Sequence, residues 1–102
     1  MNFKILEKNV VKNAFDYGKR HNIEFNQDFA AIKLMEEVGE FAQALLTHQK
    51  KCRESKFVSP KISKEQLGHE LADVIGMAIV NANLSGIDIE KAIDEKWIHR
   101  KK

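Results

Sequence analysis

Five carboxylates at helical spacing constrain this chain more than any other feature: Glu36-Glu37-x-x-Glu40 and, further on, Glu70-x-x-Asp73. A helix advances about 100° per residue, so positions three or four apart share a face. Glu36, Glu37 and Glu40 therefore lie on one arc of a helix, and Glu70 and Asp73 on an arc of another. Two such arcs turned toward each other make a nest of hard oxygen ligands. Carboxylates packed that closely repel, and a divalent cation such as Mg²⁺ relieves the repulsion. Every candidate ligand is a carboxylate, and no Glu has a His three residues later, as the di-iron helical bundles require. That donor set favours Mg²⁺ or Mn²⁺ over zinc or iron.

The apolar periodicity around the acids predicts four helices. Phe3, Leu6, Val10, Ala14 and Tyr17 recur at steps of three and four, and the polar stretch 18–26 ends that first helix. Asn26 or Asp28 can cap a second helix over about 29–51, with Ala31, Leu34, Val38, Phe41, Ala42 and Leu45 on its apolar stripe and the acidic arc roughly opposite. The segment 52–62 reads as irregular, and Pro60 argues against helix there. Ser63-x-x-Gln66 has the form of a capping box for a third helix that runs to about Leu84, where Gly86 can terminate it. Asp88 can cap a fourth, carrying Ile89, Ala92, Ile93 and Trp97 and ending in the cations Arg100, Lys101 and Lys102, which suit the helix dipole. Within 71–84 the one charged residue is Asp73. The third helix is therefore expected to be buried on most sides, with Asp73 needing a compensating cation. Gly39 costs roughly 1 kcal/mol of helix propensity relative to Ala, so close approach of a helix or ligand is expected beside it.

A chain of 102 residues fits one domain, 1–102, with a core small enough that self-association would help. The expected class is all-α, a four-helix bundle-like arrangement. A net charge of +2 calls for neither a nucleic-acid polymer nor a membrane as partner. No run approaches the ~18 apolar residues of a bilayer span. Lys4, Glu7, Lys8 and Lys12 break up any signal-peptide pattern, and the single cysteine, Cys52, points to a reducing compartment. The expected location is the cytoplasm.

Glu36-Glu37-Val38-Gly39-Glu40 followed by Glu70-Leu71-Ala72-Asp73-Val74-Ile75 resembles the EExxE…ExxD signature of MazG-type nucleotide pyrophosphohydrolases, members of the all-α NTP pyrophosphatase superfamily. The tail is similar too. Where that family often carries Asn-x-Lys-Phe-x-x-Arg, this chain has Asp94-Glu95-Lys96-Trp97-Ile98-His99-Arg100, matching at Lys96 and Arg100 and departing at Asp94. The resemblance covers about 29–100. It implies a MazG fold, assembly as a homodimer or homotetramer, and Mg²⁺-dependent cleavage of (d)NTPs between the α- and β-phosphates, releasing a monophosphate and pyrophosphate, in nucleotide-pool house-cleaning. By the match, Glu37, Glu40, Glu70 and Asp73 hold the metal. Glu36 binds a second ion or orients the attacking water, a duty it can exchange with Glu37. Lys96 and Arg100 bind phosphate, Arg bidentately and Lys as a point charge.

Two rival readings remain at this point: phosphoribosyl-ATP pyrophosphohydrolase, which shares the fold and the acid logic, and a non-catalytic helical interaction module with solvated acids. The basic residues Lys50, Lys51, Arg53 and Lys56 read as solvated charge, and Phe25, Phe29 and Trp97 as core.

Overall fold

The computed structural model describes residues 1–100, so Lys101 and Lys102 lie outside the described residues. Four α-helices form: α1 (Phe3–Arg20), α2 (Gln27–His48), α3 (Pro60–Leu84) and the short α4 (Ile89–Ile93). A 3₁₀ turn at Glu54–Lys56 lies in the α2–α3 connection, and α4 runs on into a π-type turn at Asp94–Ile98. No strand occurs among the described residues, and no single helix there is long and apolar enough to cross a membrane.

Local chemistry sets the boundaries. Asn2, Asn26 and Asp88 cap α1, α2 and α4, each accepting a hydrogen bond from a backbone N–H three residues on. Beyond α3, Gly86 takes φ +67, and Ile87 N donates to Ala82 O at 2.8 Å, the left-handed turn that glycine permits. The start of α3 differs from the expected one. Ser59 is its N-cap, accepting from Ile62 N, and Pro60 is the first helical residue. Proline fits there because the N–H it lacks has no helical partner at that position. Ser63, freed from capping, is buried, and its hydroxyl donates to Pro60 O and meets His48 Nδ1 at 2.7 Å.

The pairing of α2 with α3 dominates the packing, with α1 laid on α3 and α4 touching it. Near one end of the pair, Asn81 Nδ2 donates to Ala30 O at 2.8 Å. Near the other, His48 meets Ser63. Positions fall on α2 as they rise on α3, so the two run antiparallel. The core is small: Phe25, Ala30 and Val80 are buried, with Val10, Ala14, Phe15, Ile23, Phe29, Met77 and Leu84 packed around them.

Burial corrects the expected faces. The side of α2 turned inward carries Ala30, Leu34, Glu37 and Phe41, while Ala31, Val38 and Ala42 point outward. The acidic arc is thus partly the buried arc, because acids on α3 stand opposite it. Helix α3 is buried at Ser63 in its first turns and at Ile79, Val80 and Ala82 toward its C-terminal end, and Leu71, Asp73 and Ile75 between them are exposed. Trp97, expected in the core, is 81% exposed, since the contacts of α4 with α3 and the pairing of its Glu90 with Lys4 of α1 leave the π-type extension uncovered at that residue. Gly39 has open space where a Cβ would stand, so no close approach explains it.

Gly18 does face a close approach. A Cβ there would lie 2.7 Å from Ile23 O and 2.9 Å from Phe25 Cδ1, in the turn that delivers Phe25 to the core. Gly18→Ala is expected to cost about 1–3 kcal/mol, while Gly39→Ala is neutral or stabilising by up to ~1 kcal/mol. Thermal melts of the two variants check this. A Gly18→Ala melt matching the parent would refute the packing account of that turn.

Candidate metal centre

Antiparallel pairing brings the two acidic motifs to one level of the α2–α3 seam. Glu37 and Glu40 come from α2, and Glu70 and Asp73 from α3. One carboxylate oxygen from each lies within 4.8 Å of the corresponding oxygen of every other. Bonds of about 2.0–2.1 Å to Mg²⁺ or 2.3–2.6 Å to Ca²⁺ let oxygens some 4–5 Å apart face one another across one ion.

Glu37 is the one buried charged side chain among the described residues, 7% exposed. Its Oε2 and Oε2 of Glu70 are shielded from solvent and accept no hydrogen bond there. Buried polar atoms normally have partners, and two orphaned oxygens on carboxylates of one cluster call for a cation. The electrostatics agree. Burial, then the charges of Glu40 and Asp73, push the Glu37 carboxyl above its ordinary value, and the same three causes raise Glu70. Asp73 was expected as the buried acid of the group, but it is exposed, and the desolvated members are Glu37 and Glu70.

Glu36 stands outside the quartet. Its carboxylate is paired with the ammonium of Lys33, which also lies 3.5 Å from Glu37 Oε1. Lys33 lies outside both acidic motifs, and its position three and four residues before Glu36 and Glu37 is the signal in the sequence that marks it. Lys96 and Arg100 are exposed and line neither cleft beside the quartet. Lys50, Lys51, Arg53 and Lys56 are solvent-facing, with Lys50 Nζ 6.0 Å from the Phe57 ring centre.

Two clefts flank the acids. The one toward α1, about 470 Å³, has apolar walls from Val10, Ala14, Met77 and Val80, with Asn13 and Tyr17 from α1 and Lys33, Glu37 and Asp73 at the acid side. The other, about 440 Å³, is polar, lined by Gln43, Thr47 and Gln66 with Glu40 and Glu70. A hard cation in the seam would therefore be reachable from both sides.

A family model described as the MazG nucleotide pyrophosphohydrolase domain matches residues 26–102. It takes in both acidic motifs and begins beyond α1. No curated protein and no solved structure matches the chain.

The raised carboxyls give a stability signature. Between the ordinary glutamate value of 4.5 and the raised folded values of Glu37 and Glu70, the folded state holds protons that the unfolded chain has released. Stability without divalent ions therefore falls as pH rises through that window. A cation favours the ionised carboxylates and removes the fall. With chelator present, the melting temperature should decrease from pH 4.5 toward neutrality. Excess Mg²⁺ at pH 7.5 should raise it, by about 2.7 kcal/mol of stability at a hundredfold excess over Kd. Identical melts with chelator and with Mg²⁺ would remove the metal-centre reading.

Proposed function

The chain belongs to the MazG nucleotide pyrophosphohydrolase family, and we propose that it is an Mg²⁺-dependent enzyme, with Mn²⁺ as a substitute, hydrolysing (d)NTPs between the α- and β-phosphates. One water is consumed, the anhydride bond between those phosphates breaks, and a nucleoside monophosphate and pyrophosphate leave. The observation that carries the reading is the convergence of Glu37, Glu40, Glu70 and Asp73 with two orphaned oxygens among them.

In this reading those four carboxylates hold the metal. When bound, it neutralises phosphate charge and lowers the pKa of a coordinated water. Glu36 and Glu37 orient the attacking water and take up its proton. Phosphoryl chemistry rests mainly on positioning and charge stabilisation. Lys96 and Arg100 supply cations to the phosphates, and neither makes an ion pair among the described residues. The whole chain, 1–102, acts as one domain, since α1 lines the cleft that reaches the acids.

A homodimer or homotetramer belongs to the proposal. The radius of gyration is 16.0 Å, against about 13 Å for a compact chain of this length. Ile32, Met35, Val38 and Leu46 on α2, with Leu71 and Ile75 on α3, are exposed. Charged substitutions at Met35 and Ile75 together should return a monomer in light scattering, and an unchanged mass would exclude that face. The functional setting we propose is cytoplasmic control of the nucleotide pool.

Pyrophosphate release from a panel of NTPs and dNTPs, with and without Mg²⁺, tests the central claim. Release should require Mg²⁺ and fall at least about 100-fold in Glu40→Gln and Asp73→Asn, since even groups that only support metal ligands cost 10–100-fold. Full activity in either variant would contradict the ligand assignment. A silent panel with folding confirmed shifts the reading to phosphoribosyl-ATP as substrate, and silence there as well leaves the interaction module.

A further inference from the structure

Among the described residues Lys33 is the one cation lining the cleft on the α1 side, which Glu37 and Asp73 also line. Its side chain is one-third exposed, with the ammonium against Oε1 of Glu36 and 3.5 Å from Oε1 of Glu37. One of these partners, Glu37, belongs to the metal quartet, and the other does not. A divalent cation in the quartet and the Lys33 ammonium on Oε1 would therefore draw on the same carboxylate charge, each weakening the other's hold. A polyphosphate entering this cleft meets two negative side chains, and it needs positive charge on the wall. The four-carbon stem of lysine carries a compact charge that can turn between partners without moving the backbone.

We infer that Lys33 exchanges partners during the enzyme's cycle. It neutralises Glu37 while the quartet lacks a divalent cation. Once the cation takes Glu37 over, Lys33 turns its ammonium to a phosphate oxygen of the nucleotide in the α1-side cleft. Glu36, outside the quartet, keeps the ammonium at the cleft edge in both states. The inference rests on the pyrophosphohydrolase reading and adds a substrate-binding residue that neither acidic motif contains.

The test uses the full chain and two variants, Lys33→Met and Lys33→Arg, with Lys33→Gln replacing the first if it does not fold. Calorimetric titration with Mn²⁺ alone should show Lys33→Met binding about two- to fivefold more tightly than the parent, the scale of losing a partly exposed competing ion pair. At saturating Mg²⁺, inorganic tripolyphosphate, a probe without a base, should bind Lys33→Met about 10- to 100-fold more weakly, the scale of a charge-assisted hydrogen bond. Lys33→Arg should keep most of that affinity. A Lys33→Met variant with unchanged or weaker Mn²⁺ binding, or with unchanged tripolyphosphate binding, overturns the exchange while nucleotide turnover by the parent leaves the enzyme reading intact. A parent that binds Mn²⁺ but neither tripolyphosphate nor any nucleotide overturns the enzyme reading itself.

Discussion

The seam between α2 and α3 carries four carboxylates at a level where a helix pair normally places leucines. Everything else is arranged around the cost of that choice. Like charges in a partly desolvated seam push the helices apart, and the push is strongest at Glu37, the one buried charge among the described residues. The pairing is held on both sides of that level. Asn81 ties α3 to the first turns of α2 through Ala30 O, and the Ser63–His48 contact closes the other end. Between these pins the carboxylates are kept close without one another's consent, which is how a ligand-free cluster can be preorganised for a cation. Holding ligands in place beforehand reduces what the ion must organise on binding, and the strain of doing so is released only by charge.

Much of this was legible in the sequence, for physical reasons that differ by element. The caps at Asn26 and Asp88 and the termination at Gly86 are local effects, decided within a few residues, and they hold. The convergence of the two acidic motifs follows from spacing within each helix and from antiparallel pairing across a short connection. The face of α2 was misjudged because a periodic stripe of apolar residues implies burial only when it meets a partner. Val38 has the right spacing but stays 47% exposed, whereas Glu37, beside Glu70 and Asp73 of α3, is buried. Asp73 misled in the same way: its apolar sequence neighbours Leu71 and Ile75 are themselves exposed. Pro60 was read as a helix breaker when its position, one residue after a serine cap, makes it a helix starter. Lys33 escaped notice because an i, i+4 pair with a glutamate is ordinary on a helix surface. It becomes informative only once Glu37 is known to be buried.

The two clefts beside the seam are chemically unequal, and that inequality gives a bound nucleotide a direction. On the proposed function the phosphates lie at the carboxylates, where a bound cation would neutralise charge on both. The base must then extend to one side or the other. Toward Gln43, Thr47 and Gln66 it would meet a polar surface that water already satisfies. Toward α1 it meets Val10, Ala14, Met77 and Val80, with Tyr17 and Asn13 also in the lining. An apolar wall with a few polar groups is the usual construction of a ligand pocket, so on the proposed function the base lies toward α1. Helix α1 is also the part of the chain outside the family match at residues 26–102. On that proposal catalytic chemistry and substrate choice are carried by different segments: the acids by the paired helices α2 and α3, the base by the cleft that α1 closes against α3. Motifs in α2 and α3 mark the family for that reason, and they are silent on which nucleotide enters.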